Sequence, residues 1–136
     1  RRSEAVASRC PMSPAAANED AIAAELFAAP QDPRLGRAAA FYVGHVAEGE
    51  WRANGSSGGL TSWVAGELLR TGKVDAIAHV ASEDPHETGR FFGYTLSRDL
   101  QELSRGAKSR YYPVDLSAVL KTIAATPGRY AIIGVP

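Results

Sequence analysis

The sequence predicts an α/β protein built on a mixed, partly parallel sheet with flanking helices. Three observations predict it. Strand-like apolar runs alternate with helix-spaced ones along the chain. Residues 38–80 read as strand, glycine loop, helix and strand, the order that produces parallel pairing. The 136 residues fit one domain, and a chain of that size buries about two-thirds of its unfolded surface.

Residues 1–17 are rich in Ala, Ser, Pro and Arg, lack a period, and read as loop or extended chain. Asn18 is a good N-cap, and Glu19 and Asp20 favour the first turn of a helix over 19–28 by opposing its dipole. Ile22, Leu26 and Phe27 give that helix an apolar face, and Pro30 and Pro33 end it and mark a linker. Ala38 to Val46, with Phe41, Tyr42 and Val43, reads as a strand. Gly49 to Gly59 holds four glycines and reads as a loop. Leu60, Trp63, Val64 and Leu68 recur at helical spacing, with Gly72 where a C-terminal cap belongs. Val74 to Val80 and Arg90 to Ser97 are expected strands, and Asp99 to Arg105 a short polar helix. Asp115 can cap a helix carrying Leu116, Val119, Leu120 and Ile123 that stops before Pro127, and Arg129 to Pro136 is the last expected strand.

Composition excludes several function classes. Fifteen basic residues balance fifteen acidic ones, so the surplus of cations that broad nucleic-acid binding needs is missing. No apolar stretch approaches the roughly 20 residues of a membrane-spanning helix, and Arg1 to Pro11 lacks the apolar core of a signal peptide. The expectation is a cytoplasmic protein. The chain opens on Arg1-Arg2 without Met and closes on the strand-like Tyr130-Ala-Ile-Ile-Gly-Val-Pro136, which reads as a piece of a longer protein cut at both ends.

Three stretches carry chemistry. In Asn54-Gly55-Ser56-Ser57-Gly58-Gly59, glycines let the backbone approach a ligand, and the amides of the following helix favour an anion such as a phosphate. The alternative is a flexible loop with an N-cap serine; the pattern is neither GxGxxG nor a Walker loop. Lys108-Ser109-Arg110-Tyr111-Tyr112 joins two cations, a hydroxyl and two rings, which suits a dinucleotide, or else forms a solvated basic loop with packing tyrosines. Cys10 is the only cysteine, so it makes no intrachain disulfide. Pro11 comes directly after it, and the last cysteine of a bacterial ferredoxin run likewise has a proline after it. His45 and His79 lie in expected strands as partnered core or edge residues, His86 sits in a solvated acidic loop, and the two tryptophans are packing residues. A nucleophile elbow is absent.

Taken in order, these stretches resemble the N-terminal region of the coenzyme F-420 hydrogenase/dehydrogenase beta-subunit family. The resemblance rests on Arg52-Ala-Asn-Gly-Ser-Ser-Gly-Gly59, Gly72-Lys-Val-Asp-Ala-Ile77, Lys108-Ser-Arg-Tyr-Tyr-Pro113 and the closing Tyr130-Ala-Ile-Ile-Gly-Val-Pro136. Cys10-Pro11 with Asn18-Glu19-Asp20 is similar to the segment after the ferredoxin-like motif of bacterial members, often associated with polysaccharide biosynthesis. The resemblance implies a fragment of an FAD and 4Fe–4S oxidoreductase. Residues 34–136 would be the family's N-terminal domain, and 1–33 a linker and short helix after a missing ferredoxin-like motif. It further implies that Asn54, Gly55, Ser56, Ser57, Gly58 and Gly59 line the FAD site with help from Thr61, that Lys108, Ser109 and Arg110 share that pocket, and that Cys10 is a cluster ligand.

The implied function passes electrons between a hydride carrier, a deazaflavin coenzyme F-420 or similar, and one-electron carriers. The implied partner is a redox protein or small-molecule hydride carrier. Two competing readings are a non-redox nucleotide or phosphosugar binding module in glycan biosynthesis, and a degenerate member kept for protein contact.

Overall fold

The computed structural model describes residues 4–8, 10 and 12–134. The described residues divide into two compact units, one up to residue 43 and one from residue 44 onward. The first unit opens with α1 (Glu4–Ala7) and α2 (Glu19–Leu26). Asn18 caps α2 as expected, its Oδ1 accepting the Ala21 amide at 2.8 Å. The expected linker between Pro30 and Pro33 is instead an antiparallel hairpin of β1 (Gln31–Asp32) and β2 (Gly36–Arg37). The Asp32 carboxylate makes the turn by accepting the Arg34 and Leu35 amides at 2.8 and 3.0 Å, and Gly36 completes it at a φ of +77°. The Gln31 side chain donates to Asp20 at 2.9 Å, which ties the hairpin to α2.

Residues 38–47 form no strand. Strand propensity from Phe41, Tyr42 and Val43 is real, but a strand also needs a ladder partner and a face to bury. Tyr42 is 91% exposed and Val43 fully so. Val46 alone turns inward, its amide donating to the Gly58 carbonyl at 2.9 Å. His45 is therefore exposed, not a strand residue.

The second unit continues with α3 (Trp51–Asn54), a turn of helix inside what the sequence presents as a loop. α4 (Leu60–Arg70) comes after the glycines. Its C-terminus is closed by the Gly72 amide on the Leu69 carbonyl and the Lys73 amide on the Leu68 carbonyl, with Gly72 left-handed at +62°. β3 (Ala76–Ser82) leads through α5 (Pro85–Thr88) to β4 (Phe92–Ser97). α5 was not expected; Asp84 caps it on the His86 amide at 2.8 Å, Pro85 starts it, and Gly89 ends it at +71°. His86 is exposed, as expected.

α6 (Leu100–Ser104) starts at Asp99, which accepts the Glu102 amide at 2.7 Å. α7 (Ser117–Ala125) starts after Asp115, whose carboxylate accepts the Ser117 amide at 3.0 Å. β5 (Tyr130–Ile132) closes the order and is shorter than the expected strand, whose last two residues lie outside the described ones.

The three strands run in the order β4-β3-β5. β3 pairs antiparallel with β4 (Ile77 opposite Ser97) and parallel with β5 (Ile77 opposite Ala131). The sheet is thus mixed and partly parallel, as predicted, but the parallel pair is β3–β5 rather than residues 38–46 with 74–80. β3 is central because Ala76, Ile77 and Ala78 are small or apolar and wholly buried. Ala65 of α4 and Leu103 of α6 pack with Ile77, and Leu68, Leu69, Val74, Ala131 and Ile133 complete this core. Among the described residues no helix is long and apolar enough to cross a membrane.

Candidate functional site

The glycine loop folds on its own backbone. A Cβ on Gly55 would sit 2.7 Å from the Trp51 carbonyl oxygen, and one on Gly58 the same distance from the Gly44 carbonyl oxygen. Gly59, left-handed at +75°, would collide with the Trp51 carbonyl. These residues are glycine because the turn is too tight for a side chain. Gly59 is the N-cap of α4, and among the described residues no side chain caps that helix start. The first-turn amides are consequently left for another acceptor, at the positive end of the helix dipole.

That uncapped turn faces a cavity of about 540 Å³, walled by Ser56, Gly59, Thr61, Lys108, Ser109 and Arg110 among others. Six of the ten residues expected to hold a cofactor therefore meet at one place. The link is direct: the Ser109 amide donates to the Ser56 hydroxyl at 2.8 Å, across 53 positions of sequence. Among the described residues two cations line the cavity and no carboxylate does, so its field favours an anion. Its volume lies in the range of about 300–1,000 Å³ usual for ligand sites.

Arg110 is held in place from two sides. Its guanidinium lies 5.6 Å from the centre of the Phe92 ring, and its Nη1 donates to the Lys108 carbonyl at 3.0 Å. Tyr112 meets Phe92 edge-on at 5.8 Å, whereas Tyr111 lines the cavity and is 97% exposed. Lys108 adopts a left-handed backbone at +74° and Ser57 one at +60°, so both converging loops hold a non-glycine residue in the left-handed region.

The cavity wall also contains residues the sequence did not single out. Ser62 stands in the first turn of α4 beside Thr61. His79 is the partnered core residue expected: it is buried, with Nε2 2.6 Å from the Ser97 hydroxyl. Burial pushes its pKa below the ordinary value, partly opposed by the Val80 carbonyl. A Cβ on Gly106 would collide with the His79 ring, so glycine there lets the loop 106–112 cross β3 closely. The Tyr94 hydroxyl donates to the Ile133 carbonyl at 3.1 Å, which fixes the far wall. These depend on pairing between distant strands, for which the local sequence has no signal.

The remaining expected residues lie elsewhere. Asn54 and Gly55 line a second cavity of about 250 Å³, and Ser57 and Gly58 line neither. Cys10 is a half-buried free thiol in the first unit. Among the described residues no group of three or more His, Cys, Asp or Glu is placed to hold a metal ion.

Fold and site together define an α/β unit with a cationic cavity at a helix N-terminus, suited to a phosphate-bearing ligand. Residues 41–121 match the family described as "Coenzyme F-420 hydrogenase/dehydrogenase, beta subunit N-term", more than half of the 136 residues, and the chain belongs to that family. The family is one of redox enzymes, in agreement with the resemblance drawn from the motifs. No curated protein matches the chain.

Proposed function

We propose that this chain is the N-terminal, cofactor-holding part of an FAD and 4Fe–4S oxidoreductase that moves electrons between coenzyme F-420, or a similar hydride carrier, and one-electron carriers. The observation that supports it most is the Ser56–Ser109 hydrogen bond, which joins the glycine loop to the Lys108–Arg110 loop around one cationic cavity. The donor set fits a diphosphate: uncapped amides of α4, the Thr61 and Ser62 hydroxyls, and two cations converge, among the described residues without an opposing carboxylate. A flavin bound here supplies the hydride chemistry.

The protein's own residues then hold and orient. Thr61 and Ser62 place first-turn amides against phosphate oxygens, and Lys108 neutralises their charge. Tyr111 offers an exposed ring for a flat group. In the same reading residues 34–136 form the family's N-terminal domain, residues 1–33 lead from a ferredoxin-like motif, and Cys10 is one ligand of its cluster. The enzyme works in the cytoplasm with a redox protein or a small hydride carrier as partner.

The test is the full-length protein purified under anaerobic conditions. Flavin and iron–sulfur absorption are expected in the wild type, with flavin lost from Lys108→Ala combined with Ser56→Ala. Full flavin retention in that double variant would contradict the assignment of the cavity. Absence of both chromophores from the wild type would contradict the redox reading.

A further inference from the structure

We infer that the second cavity binds a flat heteroaromatic ring carrying an exocyclic amine, of the adenine type. At about 250 Å³ it is smaller than the usual range for whole ligands and of a size for one fused ring. Trp51, Leu100 and Leu103 supply its apolar walls, and Glu50, Asn54 and Ser104 its polar ones. Trp51 is anchored: a Cβ on Gly66 of α4 would come within 2.7 Å of its Cη2, so the indole lies directly against the helix. An anchored indole is a low-entropy stacking surface. The Asn54 amide has the donor and acceptor that match an aminopurine edge, and the Glu50 carboxylate accepts from an amino group.

Charge separates the two cavities. Among the described residues Glu50 is the single charged side chain in the smaller wall, whereas Lys108 and Arg110 are the charged ones in the larger. A phosphate is therefore directed to the larger cavity and an amine-bearing ring to the smaller. The two adjoin, because Ser62 lines both and Gly55 of the smaller runs directly into Ser56 of the larger. One source of the ring is the adenine half of the dinucleotide, in which case the inference rests on the flavin reading above. The other is a free adenine nucleoside or nucleotide.

Isothermal calorimetry on the full-length protein distinguishes the sources, with FAD, FMN and phosphate-free adenosine as probes. Ser104→Leu fills the cavity and Asn54→Ala removes the reading edge; both positions are exposed, so folding is spared. If the dinucleotide is the source, FAD binds about tenfold tighter than FMN. That preference disappears in both variants while FMN affinity is unchanged. If a free nucleoside is the source, adenosine binds saturably to the wild type and to neither variant. Adenosine binding of that kind without any flavin binding upholds the ring site and counts against the flavin reading. Equal FAD and FMN affinity with no adenosine binding overturns the inference, as does an FAD preference or adenosine binding that survives in both variants.

Discussion

Replacing Lys108 separates backbone strain from ligand charge. Its φ of +74° puts a side-chain-bearing residue in the left-handed region, at a cost of about 1–2 kcal/mol relative to glycine. Lys108→Gly removes that cost but adds about 0.5–1 kcal/mol of chain entropy to the unfolded state. The ligand-free protein should gain about 0.5 kcal/mol, a rise in Tm of about 1–2 °C. Affinity should move the other way. Losing a charge-assisted hydrogen bond to phosphate costs about 1.5–3 kcal/mol, or about 10- to 100-fold in Kd. Lys108→Ala keeps the strain and loses the charge, so it should lose the same affinity without the gain in Tm. The assay is thermal unfolding of the ligand-free full-length protein paired with FAD calorimetry. A drop of several degrees for Lys108→Gly, or FAD affinity unchanged in both variants, would refute the reasoning.

The structure carries three further expected outcomes. Gly66→Ala ordinarily strengthens a helix by about 1 kcal/mol, but here the new methyl meets Trp51 at 2.7 Å and Leu100 at 3.3 Å, so urea unfolding should show a loss of about 1–3 kcal/mol; a gain would contradict the packing. His79, whose pKa burial holds below its ordinary 6.5, refuses a proton that the unfolded chain accepts. Stability should therefore fall as pH drops below about 6.5, by at most about 1.4 kcal/mol per unit until the folded pKa is reached, and His79→Gln should flatten that slope below about pH 6.5. Asp75 accepts the Arg129 amide at 2.7 Å and pairs with its guanidinium at 2.9 Å, which holds its carboxyl below the usual range. Asp75→Asn should speed hydrogen exchange at the start of β5, and unchanged protection of the Arg129 amide would contradict the latch.

The helices were legible where capping chemistry is local. Asn18 and Gly72 stand where the structure uses them, because each cap needs only its own few neighbours. Strand pairing was less legible. Residues 38–46 have strand-forming side chains but, among the described residues, no ladder partner beyond the Val46–Gly58 bond, and the parallel partner of β3 lies more than 50 positions away at Tyr130–Ile132. The candidate site divides the same way. The glycine loop and the Lys108–Arg110 stretch could each be read as anion-binding on local chemistry. Their meeting through Ser56 and Ser109, the opening of Asn54 onto a second cavity, and the burial of His79 against Ser97 are products of tertiary packing.

The central claim is that the start of α4 and the Lys108 loop jointly hold a diphosphate. The most direct measurement is an experimental structure of the full-length protein with FAD. The account predicts phosphate oxygens about 3 Å from the amides of Thr61 and Ser62 and within reach of Lys108. FAD bound away from this turn, or an α4 start occupied by another segment of the protein, would contradict it.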